Sequence, residues 1–170
     1  YFGSDDGKVY GVDINGNSIN GFPRSISSGA IVGSILFSDL NNDGNADFVA
    51  ADDLGNIYAQ SIYGAQSLIG FPLNYQFNFS SSPQIVDYDF DNDLEIICGS
   101  AGDLVMVDIK YSGVNSLDHW SLFKGNYKRS GYYLEGTFEG NPCSGSTLGD
   151  INADSQLNVV DIVGLVSLVL

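Results

Sequence analysis

Apolar residues along this chain fall in short runs, with no sustained helical stripe before the C-terminal end. β-Branched, aromatic and aliphatic residues fill 31–37, 48–51, 56–60, 85–86, 95–98 and 104–109, and clusters of Gly, Asp, Asn and Ser separate them. Runs of this length bounded by turn formers predict strands. The runs also recur. DLNNDGNADFVAADDLGNIYA from position 39 is echoed by DYDFDNDLEIICGSAGDLVMV from position 87, a spacing of 48 residues. The opening YFGSDDGKVYGVD matches the second half of the same unit, and Gly-Phe-Pro follows it both times, at 21–23 and 70–72. Three landmarks sharing one period identify an internal repeat. The chain enters inside one unit, runs through a second and continues into a third.

About four short strands per unit, repeated, predict an all-β fold that forms part of a β-propeller, with roughly 2.5 blades of four-stranded antiparallel sheet. One blade cannot bury both of its faces, so blades stack on one another. Two and a half cannot close a ring of about four to eight. The missing blades are expected from upstream chain or from neighbouring subunits, and the first residue, Tyr1, places the true N-terminus upstream or at a processing site. After Asp108 the pattern changes. HWSLFKGNYKRSGYYLEG carries the only Trp and three of the six cations, Lys124, Lys128 and Arg129. Residues 1–136 are therefore assigned to the repeats and a closing segment, 137–148 to a Gly/Ser/Pro-rich linker, and 149–170 to a small separate unit. There, Leu157, Val160, Val163 or Gly164, and Ser167 or Leu168 follow a helical period.

Charge changes the picture. Six Lys+Arg stand against 21 Asp+Glu, a net charge of −15. That balance argues against nucleic acid and anionic membranes as partners, because phosphate contacts need clustered cations. No apolar run reaches transmembrane length, so no membrane insertion is expected. Eleven of the 21 acids fall in three short windows. Three bound divalent cations would bring −15 to about −9.

In the first window Asp39, Asn41 and Asp43 occupy positions 1, 3 and 5, the Asn45 carbonyl position 7, and Asp47 position 9. Alternating oxygens on a curled loop suit Ca²⁺, which takes about six to eight of them. An EF-hand would close at position 12, which is Ala50, and the loop feeds a strand, so this is a different class of cation loop. The second window repeats it with Asp87, Asp89, Asp91, the Asp93 carbonyl and Glu95. Its position 6 is Asn92, a residue that tolerates the left-handed conformation. The third window places Asp150, Asn152 and Asp154 at positions 1, 3 and 5, the Gln156 carbonyl at 7, Asn158 at 9 and Asp161 at 12, with Ser155 where glycine is usual. Two calcium sites in the repeat loops and one in the C-terminal unit are expected. The alternative is a set of polar turns bearing solvated acids.

These motifs carry resemblances. The 48-residue unit, with its D-x-N-x-D-G-x-x-D loop and following strand, resembles FG-GAP or VCBS-type (integrin-like) β-propeller repeats. WSLFKGNYKRSGYY is similar to the closing stretch of such propellers, W-x-x-F-x-x-N-x-x-R-S/T-G. GDINADSQLNVVD resembles the first half of a type I dockerin, a calcium module that binds cohesins, whose partner-contacting positions map to Val159 and Val160. The resemblance implies a secreted, extracellular protein of bacterial type, with attachment to a cell surface as one expected form. Its partner would be a cohesin-like protein, copies of itself, or a glycan.

No catalytic constellation stands out. His119, the only histidine, lacks the flanking spacing of a nucleophile elbow or a zinc site and reads as a packing or surface residue. Carboxylates at every second residue of a turn converge on one point and suit a cation better than glycoside hydrolysis. Asn78-Phe79-Ser80 is a glycosylation sequon. Cys98, in an apolar run, reads as a buried small hydrophobe, with a Cys98–Cys143 disulfide as the alternative. The expected function is a non-catalytic calcium-binding module for binding, adhesion or assembly. The alternatives are a fibre subunit completed by neighbouring copies and the accessory C-terminal region of a secreted hydrolase.

Overall fold

A computed structural model of the chain describes residues 1–110, 120–125, 129 and 131. Ten strands run through them: β1 (Phe2–Gly3), β2 (Lys8–Tyr10), β3 (Arg24–Ser25), β4 (Ile31–Ser38), β5 (Asp47–Asp52), β6 (Asn56–Ser61), β7 (Leu73–Asn74), β8 (Gln84–Val86), β9 (Leu94–Gly99) and β10 (Leu104–Ile109). They form three antiparallel sheets, ordered β1-β2-β3, β4-β5-β6-β7 and β10-β9-β8. The fold is all-β, with no α-helix among the described residues. The expected helix of the C-terminal unit, the linker and the third acidic window lie outside the described residues.

The six strands expected from apolar runs all form, each extended by at most one residue at either end. The short β1, β2, β3 and β7 went unseen, because two or three residues carry no period of their own. They are held by their ladders instead. β3 and β7 each start directly after the Gly-Phe-Pro tripeptide, and each pairs with the strand before it.

The repeat is also present in the backbone, with one correction. Ala51 pairs with Ile57, whereas Gly99, 48 residues after Ala51, pairs with Leu104. The turn between β9 and β10 is thus one residue shorter than that between β5 and β6, and Val105 takes the place of Tyr58, not of Ile57. A slip of one residue turns every side chain to the other face. It is this register that sends Val105, Val107 and Ile109 to the core and leaves Leu104 and Met106 exposed.

β5 is buried on both faces. Val49 and Ala51 join Leu36, Ile57 and Ala59 against Ile85, Leu94, Ile96, Cys98 and Ile109 of the third sheet. Phe48 and Ala50 face Val9, Phe22, Ile31 and Ile35 on the side of the first sheet. A strand enclosed this way reads as a continuous apolar run, and DFVAAD does, between two acids. Two further devices tie the sheets together. The Phe37 N–H of β4 donates to the Trp120 carbonyl at 2.8 Å, and the Ile85 N–H of β8 to the Ser121 carbonyl at 2.9 Å. Phe37 and Ile85 are equivalent in the repeat, so one short segment bonds two neighbouring sheets at the same height. The buried Arg24 guanidinium spans the other junction, donating to the carbonyls of Gly21, Ser61, Ile62 and Gly64 and lying over the Phe22 ring.

Gly7 and Gly55, 48 residues apart, sit in the corresponding turns with φ of 74° and 87°. Each carbonyl accepts from the residue just past the last strand of its sheet: Ile26 at 3.1 Å and Tyr75 at 2.8 Å. A Cβ on Gly55 would lie 2.4 Å from the Phe77 carbonyl oxygen and 2.5 Å from that of Tyr75, whereas Gly16, also left-handed at 83°, has open space around it. Gly55→Ala is therefore expected to cost about 3 kcal/mol and Gly16→Ala about 1 kcal/mol. Urea midpoints of the two variants check the order, and the reverse order would contradict the packing.

Candidate metal centre

The two acidic loops have the same construction. Loop 39–47 joins β4 to β5, and loop 87–95 joins β8 to β9. The left-handed residues also coincide at the 48-residue spacing. Asn42 (φ 56°) matches Phe90 (φ 65°), and Gly44 (φ 83°) matches Asn92 (φ 71°). Asn92 adopts the conformation expected of it. Phe90 does not follow from sequence, since a bulky residue is disfavoured there and its ring is 81% exposed. The loop imposes the conformation on it.

In the first loop most side-chain oxygens are satisfied locally. Asp39 accepts from the N–H groups of Asp43 at 3.0 Å and Gly44 at 2.7 Å. Asn41 Oδ1 accepts from Asp43 N–H at 3.1 Å, and Asp43 Oδ1 from Asn45 N–H at 2.8 Å. Asp47 differs. It opens β5 at 0% exposure, and one oxygen accepts from Leu40 N–H at 3.0 Å. Its Oδ1 is buried with no partner, and so is Ser38 Oγ, whose residue is directly across the ladder. Burial, with the charges of Asp43 and Asp39 adding to it, pushes the Asp47 carboxyl from an ordinary 3.8 to about 6.

The opposite end of the same strand gives the contrast. Asp52 is equally buried, yet it accepts from Ser27 Oγ, Leu54 N–H, Asn56 N–H, Asn56 Nδ2 and Tyr58 OH at 2.5–3.0 Å. Burial alone would raise its pKa, but the bonds from Ser27, Asn56 and Tyr58 outweigh it and hold the group below the usual range. The protein compensates the charge of Asp52 with its own donors. Among the described residues the geometry gives Asp47 one hydrogen-bond donor, the Leu40 N–H, and leaves its Oδ1 without one.

The second loop repeats this. Glu95, 2% exposed, accepts from Tyr88 N–H as Asp47 accepts from Leu40, and its Oε1 is buried without a partner. Asp87 Oδ1 and Asp93 Oδ1 are likewise orphaned, Asp93 being 5% exposed. Asp89, Asp91, Asp93 and Glu95 each offer one oxygen within 4.8 Å of the others. Among the described residues this is the one acidic group gathered so closely; the carboxylates of Asp39, Asp43 and Asp47 are not, and Asp87 is not part of it. Asp93 was expected to offer its carbonyl, whereas its carboxylate joins the set. The side-chain hydrogen bond between Asp91 and Asp93 splits the pair, taking Asp91 down to about 2 and Asp93 upward. Burial, then the charges of Asp89, Asp108 and Asp87, raises Glu95.

The chemistry of both donor sets fits a hard cation. Each loop ends on a buried carboxylate oxygen that the protein leaves without a donor, a costly arrangement unless a positive charge arrives. Ser38, Asp108 and Lys110 were missed by sequence reasoning. Strand register is the signal that finds the first two, since Ser38 pairs with Asp47 and Asp108 with Glu95. Of the remaining expected positions, Asn78 is exposed between β7 and β8. Cys98 is buried, its thiol pushed up to about 11 by desolvation. Cys143, His119, Asp150, Asn152, Asp154, Gln156, Asn158, Val159, Val160 and Asp161 lie outside the described residues. No helix among the described residues is long and apolar enough to cross a membrane. Compared with protein-family models, curated proteins and solved structures, the chain matches none.

With no divalent cation present, the folded state keeps a proton on Asp47 between pH 4 and 6 that the unfolded state has released. Its contribution to stability therefore falls as pH rises through that window and stays low above it. In EDTA at pH 7.5, Asp47→Asn is expected to melt above the wild type, and the gap should close towards pH 4. Equal melting temperatures at pH 7.5, or a gap that widens on acidification, would contradict an uncompensated buried charge.

Proposed function

We propose that the chain is a non-catalytic, extracellular calcium-binding module of the FG-GAP/VCBS propeller type, the C-terminal part of a larger binding or adhesion protein. One observation carries this reading. Two loops, 48 residues apart, enter the inner strand of consecutive sheets through a buried carboxylate, Asp47 or Glu95, whose free oxygen has no donor. A single such acid could be an accident of packing. The same orphan in the same place, beside the same backbone hydrogen bond, is a repeated binding element.

Asp39, Asn41, Asp43 and Asp47 would hold one ion, and Asp87, Asp89, Asp91, Asp93 and Glu95 the other. Carboxylates, amide oxygens and carbonyls on a flexible loop suit Ca²⁺ better than Mg²⁺, which demands a tighter octahedron. The ion would supply the positive charge that β5 and β9 lack at their entrances, fixing the loop that links successive strands. That role is structural, and it favours rigid blades presenting loops to a protein or glycan partner. The sheet-on-sheet stacking, with the middle sheet buried on both faces, is what blades of a propeller require. The dockerin-like reading of 149–170 adds an anchoring role and a third ion.

At millimolar Ca²⁺, sites with dissociation constants near 10 µM would add about 2.7 kcal/mol each. With both loop sites emptied, the melting temperature of the full chain is therefore expected to fall by roughly 10–20 °C when Ca²⁺ is replaced by EDTA at pH 7.5. Asp43→Asn should shrink that difference. Superimposable melts in the two buffers would remove the basis for the calcium reading.

A further inference from the structure

The second loop already contains a cation of the protein's own. Lys110 follows β10 directly, and its ammonium lies 2.5 Å from Asp108, 3.4 Å from Asp93 and 3.5 Å from Asp91. It reaches only the outer side of the group. Glu95 Oε1 and Asp93 Oδ1 stay buried and unpartnered with the ammonium in place. Lys110 itself is 65% exposed, so it can swing away at little cost in packing. Among the described residues no cation pairs with the acids of the first loop. Two residues beyond the ladder partner of Glu95 stands Lys110, whereas two beyond the partner of Asp47 stands Tyr63.

The two loops differ in charge in the matching sense. The first offers three carboxylates, Asp39, Asp43 and Asp47. The second offers five, with Asp108 adjoining them. More ligand charge would make the second site much the tighter of the two. We propose that Lys110 is a resident counter-ion of the second loop, which a divalent cation must displace, and that it lowers the affinity of that loop towards that of the first. The inference rests on the reading of both loops as cation sites. Displacement is favourable because a bare divalent ion can meet the buried and the exposed oxygens together. The ammonium, held on a four-carbon stem, lies against Asp108, Asp91 and Asp93 Oδ2 and leaves Asp93 Oδ1 and Glu95 Oε1 without a partner.

The test is a Ca²⁺ titration of the full chain followed by amide NMR shifts, which report residues 40–46 and 88–94 separately. Lys110→Gln is expected to bind Ca²⁺ about fivefold to tenfold more tightly at 88–94, with the constant at 40–46 unchanged. Lys110→Arg, which keeps a competing cation, should stay within about twofold of wild type. In the wild type, acetylation of Lys110 by a small anhydride should speed up when Ca²⁺ saturates the loop, as the amine is released. Equal constants for wild type and Lys110→Gln would overturn the proposal for Lys110 and leave the two cation sites intact, as would an amine whose reactivity ignores Ca²⁺. An absence of shifts in both loops, in every variant, would overturn the cation reading itself.

Discussion

A buried carboxylate oxygen without a donor is the constraint around which the described residues are arranged. Asp47 and Glu95 stand at the entrances of β5 and β9, strands that place Phe48, Val49, Ala50, Ala51, Leu94, Ile96 and Cys98 in the apolar core. Neither can move outward without dragging its strand out of register, since the next residues, Phe48 and Ile96, are fully buried. The ladder fixes the acid, the core fixes the ladder, and one oxygen of each acid is left buried without a partner. Asp52 shows that the same fold can neutralise a buried carboxylate with hydroxyl, amide and backbone donors. That it does so at one end of β5 and not at the other is the physical case for an external charge at the open end.

Stacking follows from the same repetition. A sheet whose central strand is apolar on both faces must be covered twice, and the middle sheet is, by Val9 and Phe22 on one side and by Ile85 and Ile96 on the other. The neighbours are held by polar links at fixed heights: the Trp120 and Ser121 carbonyls between β4 and β8, and the Arg24 guanidinium at the carbonyls after β6. Metal in the proposed reading completes this scheme at the loops, where the apolar core ends and the chain would otherwise carry like charges close together.

Much of this was legible in the sequence. Long strands announced themselves because each fills a buried layer, and the loops because Asp and Asn at alternate positions converge when the chain curls. Three things were not legible. β1, β2, β3 and β7 are too short to carry a pattern and exist only through pairing. The register of β10 depends on a turn one residue shorter, which a constant 48-residue alignment conceals: it sets Val105 against Ile57, where the ladder puts it in the place of Tyr58. The third is the contrast between Asp47 and Asp52. Both flank the same FVAA run, and nothing in that run says which acid is satisfied, because the donors to Asp52 come from Ser27 and Tyr58, on other strands and turns.

Anomalous diffraction from crystals of the full chain grown in Ca²⁺ is the most direct measurement of the central claim. Two peaks are expected among the described residues, one within coordination distance of Asp47 Oδ1 and the other of Glu95 Oε1. Density for water alone beside both oxygens, in crystals saturated with Ca²⁺, would contradict it.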